Sequence, residues 1–249
     1  MLGRGGVRLL RTMGLAPAVY HMNEGHAAFL VLERMSRLVR GEGMTYEAAR
    51  EYIAETTLFT THTPVPAGHD RFGEDLVRRY FGDAEEWVGL PWERFFALGM
   101  AGAAREFNMT YLAMNFANFV NGVAKLHRHA SQKLLLPFWP GLLQEEVPVT
   151  SITNGVHLAT WTHDGIADLL RTGDDSVRPA DFANAASINR SELWQVHHGS
   201  KLRMIEAVRA SITRAFHARG DSPVLLSSML AGLDENALYL GFARRFAPY

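Results

Sequence analysis

Two polar residues stand where a strand signal breaks into a stiff turn. In TLFTTHTPVPAGHDRF, residues 57–72, the β-branched and aromatic run over 56–61 predicts a strand. Pro64 and Pro66 then fix φ and remove two N–H donors, and Gly68 permits φ above zero. His62 and Thr63 are thereby placed at the carboxyl end of a buried strand, where α/β proteins put their ligand groups. A structural turn with its histidine held by backbone partners fits the same residues. The stretch Thr153-Asn154-Gly155-Val156 repeats the pattern, a β signal running into a turn. Asn-Gly is a turn former on its own account. An exposed asparagine at a strand end can also donate to and accept from a sugar hydroxyl.

Eleven histidines raise the question of a metal site. His21 and His26 flank Glu24 in an order reminiscent of an inverted zinc-protease signature, but they are five apart, not four. On a helix that spacing turns them roughly 140° away from each other. His127 and His129 are two apart, and His197 and His198 are adjacent. No pair has ligand spacing on a helix, so no metal site is expected. Nucleophile elbow, P-loop and complete dinucleotide fingerprint are all missing; Gly3, Gly5 and Gly6 lack the preceding strand and a third spaced glycine.

These residues need a scaffold, and the periodicity points to an α/β one. A short helix over 7–13 ends at Gly14, a strand follows over 17–21, and an amphipathic helix over 26–40 carries Phe29, Leu32, Met35, Leu38 and Val39. Thr45 opens another helix leading into the 56–61 strand. Strand, helix, strand in this order favours a parallel sheet. Helices are expected over 73–80 and 92–104. Residues 109–136 read as one long helical segment, broken once near Asn115–Asn118, with Phe119, Val123, Leu126 and Ala130 on one face. A strand over 147–152 marks a domain boundary near residue 150, followed by a helix over 160–170. Asn189 and Glu192 have capping-box spacing for a long helix ending at Gly220, and a last strand is expected over 237–243.

The net charge of −1, without a basic stripe, gives no means of neutralising phosphates along a nucleic acid. Without cysteine there is no disulfide framework and no thiolate chemistry, which suits a cytoplasmic protein. The longest apolar stretch, 95–104, is too short to span a bilayer, and the three arginines in residues 1–14 do not fit a signal peptide. The chain begins in what reads as mid-helix and stops just after a strand signal. An excised piece of a longer polypeptide is therefore expected.

Five blocks, taken in order, resemble the α-glucan phosphorylases (glycogen, starch and maltodextrin phosphorylases), most closely their shorter bacterial and archaeal branch. They are YHMNEGHAAFLVLERM (20–35), TLFTTHTPVPAGHDRF (57–72), MTYLAMNFANFVNGVAKLHRHAS (109–131), SITNGVHLATW (151–161) and LYLGFARRFAPY (238–249). The resemblance implies a two-domain Rossmann-like glycosyltransferase fold of the GT-B type, here truncated at both ends. Residues 1–150 would be the C-terminal part of its first α/β domain, and 151–249 the hinge and the start of its second. It implies phosphorolysis of terminal α-1,4-linked glucosyl units to α-glucose 1-phosphate, with retention. The partners implied are α-1,4-glucan, inorganic phosphate and glucose 1-phosphate, with neither nucleic acid nor membrane; a homo-oligomer stays open.

Pyridoxal phosphate is the implied cofactor, acting through its phosphate as the acid/base group. On the matching positions, His62 lies beside the glucosyl unit and bonds it through its backbone carbonyl, and Asn154 holds the sugar's 6-hydroxyl. Glu24 flanks the same pocket, where many relatives have aspartate. Arg244 faces the cofactor phosphate and Arg245 the substrate phosphate, a task suited to guanidinium. The lysine–arginine pair expected after Tyr249, the Schiff-base lysine and the glycine-rich loop of the first domain do not occur in this sequence. The chain alone is accordingly expected to be inactive. Two alternatives are a glucan-binding fragment without catalysis and a glycogen- or starch-synthase-like transferase; the TTHTP and TNGVH blocks together favour phosphorylases over the latter.

Overall fold

The computed structural model describes residues 1–100, 105–171 and 177–242. The chain divides into two units, Met1–Asn154 and Gly155–Tyr249.

Among its described residues the first unit has six strands: β1 (Tyr20–Asn23), β2 (Thr57–Thr61), β3 (Arg71–Gly73), β4 (Glu106–Asn108), β5 (Phe119–Gly122) and β6 (Thr150–Ser151). Four of them form a parallel sheet in the order β1-β2-β5-β6, and β3 pairs antiparallel with β4. The fold is thus mixed α/β around a parallel sheet. Its strand order runs one way, so right-handed crossovers put the connecting helices on one face. Burial agrees. Met22, Phe59 and Val120 share that face and are sealed from solvent, whereas Phe119 on the opposite face is 56% exposed.

The helices of this unit are α1 (Leu2–Thr12), α2 (Leu30–Ser36), α3 (Tyr46–Glu55), α4 (Glu74–Phe81), α5 (Ala84–Val88), α6 (Trp92–Ala97), α7 (Met109–Met114) and α8 (Lys125–Leu135). The helix expected over 7–13 starts earlier, because Gly3 lets α1 close onto α2. A Cβ at Gly3 would lie 2.5 Å from the Leu30 backbone N. Arg4 and Arg8 meet Glu33 across this contact at 3.0 and 2.7 Å. Burial alone would raise the Glu33 carboxyl; the hydrogen bonds from Arg8 and Arg4 outweigh it and hold the pKa below its usual value. The helix expected over 26–40 begins as a 3-10 turn, continues as α2 and widens to a π turn at Arg37–Gly41. Thr45 caps α3 by accepting from Ala48 N. Beneath these helices lies an aromatic cluster of Phe81, Phe95, Phe96 and Phe107, all buried. Each such ring contributes roughly 1.5–3 kcal/mol on burial.

The expected long helix over 109–136 is corrected: it is α7, then strand β5, then α8. Asn118 marks the break, its N–H donating to Ala54 O and its side chain to Glu55. Phe119 and Val120 then pair with β2 in register. The helical stripe was coincidental, for Phe119 and Leu126 are exposed. A four-residue strand is too short to display its own period.

The second unit holds α9 (Leu158–Trp161), α10 (Asp164–Leu170), α11 (Arg190–Arg219) and α12 (Pro223–Ala231). The helix expected over 160–170 is split, because the His163 side chain caps α10 by accepting from Gly165 N. Helix α11 is the expected long one: Asn189 accepts from Ser191 and Glu192, and Gly220 closes it at φ 71°. The last strand, expected over 237–243, does not form over 237–242; Ala243 lies outside the described residues. This unit contains no other strand among its described residues, so the segment has no ladder to join. Leu238, Leu240 and Phe242 are exposed there. No helix among the described residues is long and apolar enough to cross a membrane.

Candidate functional site

Parallel strands deliver their carboxyl ends to one edge, and that edge carries three of the expected site residues. Glu24 follows β1, His62 follows β2, and Asn154 lies three residues past β6. Arg244 and Arg245 lie outside the described residues.

Glu24 and His62 are in direct contact. The Glu24 carboxylate accepts on Oε1 the backbone N–H of His62 and, at 3.1 Å, the Thr63 hydroxyl. Glu24 itself is half-buried, and its N–H donates to Thr60 O at 2.9 Å, extending the β1–β2 ladder. Its φ of 66° with ψ of 169° is unusual, and no other non-glycine among the described residues has positive φ. That region suits glycine and costs an acidic residue about 1–3 kcal/mol, a strain that collects at functional sites. Glu24 Oε2 takes no hydrogen bond among the described residues. His62 is exposed, its N–H spent on Glu24, with no partner for its imidazole among the described residues.

The turn after His62 is built as its prolines demand. Val65 is extended before Pro66, a 3-10 turn covers Pro66–Gly68, and His69 folds inward to 7% exposure. His69 Nδ1 lies 2.6 Å from Thr110 Oγ1, while Nε2 is buried without a partner. Burial pushes the imidazole pKa below its usual value, with Glu24 and Asp70 opposing and Arg71 reinforcing that shift. The ring is therefore neutral near neutral pH.

Asn154 is exposed, and its N–H donates to Val123 O at 3.4 Å. That contact ties the end of β6 to the turn after β5. Val123 N in turn donates to His127 Nδ1 at 3.3 Å. His127 is a site candidate that sequence reasoning passed over. With the segment read as one long helix, it stood mid-helix. In the structure α8 begins at Lys125, so His127 occupies the first turn, at the same sheet edge. Its Nε2 is buried and unpartnered. The small residue at Gly122 makes room for it, since a Cβ there would fall 2.7 Å from His127 Nδ1. The signal available was the Asn-Gly pair at 121–122, which ends β5 five residues before the histidine.

Chemically, this edge offers a carboxylate oxygen, a backbone carbonyl, an amide and an imidazole. These are neutral or acidic groups suited to hydroxyls. The loops leaving the four strands, residues 24–27, 62–70, 123–124 and 152–154, contain neither lysine nor arginine. They therefore do not fit the phosphate of pyridoxal phosphate. No group of three His, Cys, Asp or Glu placed to hold a metal occurs among the described residues.

No family model matches the chain. Curated proteins do. Over its whole length it is 40% identical to maltodextrin phosphorylase of Thermococcus litoralis and 36% identical to glycogen phosphorylase of Mycobacterium tuberculosis. A glycogen phosphorylase of Aquifex aeolicus is 29% identical, again across all of the chain and 37% of its own length. These matches agree with the five sequence blocks: the chain is a relative of the α-glucan phosphorylases, and it spans about 30% of the length of the maltodextrin and glycogen phosphorylases it matches at 36–40% identity.

Proposed function

We propose that this chain supplies one side of the glucosyl pocket of an α-glucan phosphorylase, a retaining glycosyltransferase. The reaction is phosphorolysis of terminal α-1,4-linked glucosyl units by inorganic phosphate, giving α-glucose 1-phosphate. The observation that carries this reading is the direct Glu24–His62 contact at the edge shared with Asn154, within a chain similar along its whole length to phosphorylases. In this role the His62 carbonyl accepts from a sugar hydroxyl and the Asn154 amide pairs with the 6-hydroxyl. Rigid placement matters, because orientation of a bound sugar lowers the barrier to its reaction.

The finer points belong to the same reading. The two units would be parts of the two Rossmann-like domains of a GT-B fold, in a cytoplasmic enzyme. Pyridoxal phosphate would provide acid/base chemistry through its phosphate, held by groups other than the four strand-end loops. Arg244 and Arg245 are the proposed cationic contributors. A second reading, glucan binding without catalysis by this chain, is favoured by one observation: those four loops carry hydroxyl-binding groups and no cation.

Segment exchange tests the proposal. Residues 1–249 replace the matching 30% of the Thermococcus litoralis maltodextrin phosphorylase. The expected result is phosphate-dependent release of glucose 1-phosphate from maltodextrin, abolished or strongly reduced by Asn154→Ala. A folded chimera that binds maltodextrin without releasing glucose 1-phosphate would favour the second reading. A folded chimera that neither binds nor cleaves would contradict both.

A further inference from the structure

We propose that Thr63, seated by Gly68, is a positioning residue that orients the Glu24 carboxylate, leaving Oε2 as the acceptor for a sugar hydroxyl. The inference deepens the glucosyl-pocket reading and rests on it. Two hydrogen bonds converge on a single oxygen of Glu24, from the His62 N–H and from the Thr63 hydroxyl at 3.1 Å. The first fixes where the carboxylate lies. The second, from a neighbouring side chain, fixes how it is turned about its own axis. Thr63 is itself anchored, its N–H donating to Thr61 Oγ1 at 3.3 Å.

Gly68 sets the other side of Thr63. A Cβ at position 68 would lie 2.3 Å from Thr63 Cγ2. Gly68 is not among the positive-φ glycines, so its φ does not require glycine. What it provides is space. Gly68 N donates to Val65 O at 3.2 Å, closing the turn so that this space lies directly against the Thr63 methyl group. A side chain at position 68 would push Thr63 off its seat and remove its hydroxyl from Glu24. The turn between Pro64 and Gly68 thus sets the orientation of a carboxylate that belongs to a different strand.

The test compares Thr63→Ser, Thr63→Val and Gly68→Ala in the whole chain. Two quantities are read: hydrogen exchange at the His62 amide, and maltopentaose affinity by titration calorimetry or amide shifts. Thermal unfolding serves as the control for folding. Thr63→Val is expected to weaken maltopentaose binding about tenfold, the loss of one charge-assisted hydrogen bond, and to speed His62 exchange. Thr63→Ser should restore both, and Gly68→Ala should behave as Thr63→Val does. Where Gly68→Ala fails to fold, the valine–serine pair decides. If His62 exchange in Thr63→Val equals that of the unaltered chain, the positioning role is overturned, whatever the affinities. If exchange responds but the unaltered chain binds no maltopentaose, the positioning of Glu24 stands and the glucosyl reading fails.

Discussion

Glu24 and His62 stand 38 residues apart in sequence, yet the carboxylate of one accepts the backbone N–H of the other. The contact exists because β1 and β2 are parallel and in register, Asn23 beside Thr60, so both chains leave the sheet at the same level. The His62 N–H is consumed by that bond, and its carbonyl and ring remain for a ligand. The strained backbone at Glu24 is held between this bond and the one from its own N–H to Thr60 O.

Asn154 is expected to act through hydrogen bonding and little through bulk. In a complete phosphorylase polypeptide carrying this segment, Asn154→Ala leaves a buried hydroxyl unpaired, at a cost of about 1–3 kcal/mol. The expected fall in kcat/KM is about tenfold to a hundredfold. If the contact tightens in the transition state, kcat falls as well as the apparent affinity. The 6-deoxy analogue of glucose 1-phosphate should show little further loss with the variant. Losses that simply multiply would separate Asn154 from the 6-hydroxyl.

Gly122→Ala tests the seat of His127. The added methyl would meet His127 Nδ1 at 2.7 Å and Arg128 N at 3.3 Å. The ring can turn away, but the start of α8 cannot. Overpacking of this kind costs about 1–3 kcal/mol, to be measured by urea denaturation. The Val123 amide should lose its protection from exchange in the same variant. Protection equal to that of the unaltered chain would show that His127 does not depend on the space at Gly122.

His69 gives the first unit an acid-sensitive term. Its pKa is depressed by burial, so the unfolded chain binds a proton more readily than the folded one. Stability from this residue is therefore complete above about pH 6.5, its unfolded value, and is lost as pH falls from there toward the depressed folded value. His69→Gln should flatten the dependence of unfolding free energy on pH between about 7 and 5. An unchanged slope would assign the acid sensitivity to other groups.

Arg34 is a buried cation bonded to hydroxyls rather than to a carboxylate. It donates to Thr57 Oγ1 at 2.7 Å and Thr56 Oγ1 at 2.5 Å, and stacks over Tyr20 at 4.1 Å. Burial lowers its pKa, although arginine remains charged. Both threonines keep main-chain partners without it, at Ile53 O and Tyr52 O. Arg34→Met should therefore cost less than about 1.5 kcal/mol, whereas Arg34→Ala opens a cavity and should cost about 2–4 kcal/mol. Equal losses in the two variants would mean that the charge, not the packing, holds β1 to β2.

The sequence read well wherever local chemistry decided the outcome. The Thr56–Thr61 run became β2, Pro64 and Pro66 made the turn, and the Asn189 cap and Gly220 bounded α11. It misled where tertiary pairing decided. Strand β5 exists because Leu58 to Thr61 offers it a ladder, and nothing in four residues announces that neighbour. Residues 237–242 show the converse, a strand-like composition with no strand to pair with among the described residues. Of the candidate site, family resemblance singled out His62, Glu24 and Asn154, which follow strands of one parallel sheet. The Glu24–His62 bond and the role of the space at Gly68 were not, since both depend on distances between segments far apart in sequence.

Whether the four parallel strand ends form one sugar-binding edge is read most directly by amide shift mapping of the isotopically labelled chain with maltooligosaccharide. Shift changes are expected at Glu24 and Gly25, at His62 and Thr63, from Val123 to His127, and from Ile152 to Asn154, saturating together with one apparent affinity. Amides of the apolar cleft lined by Met1, Phe72 and Tyr80 should stay still. A folded chain whose strand-end amides do not move, or whose only responses lie in that cleft, would contradict such an edge.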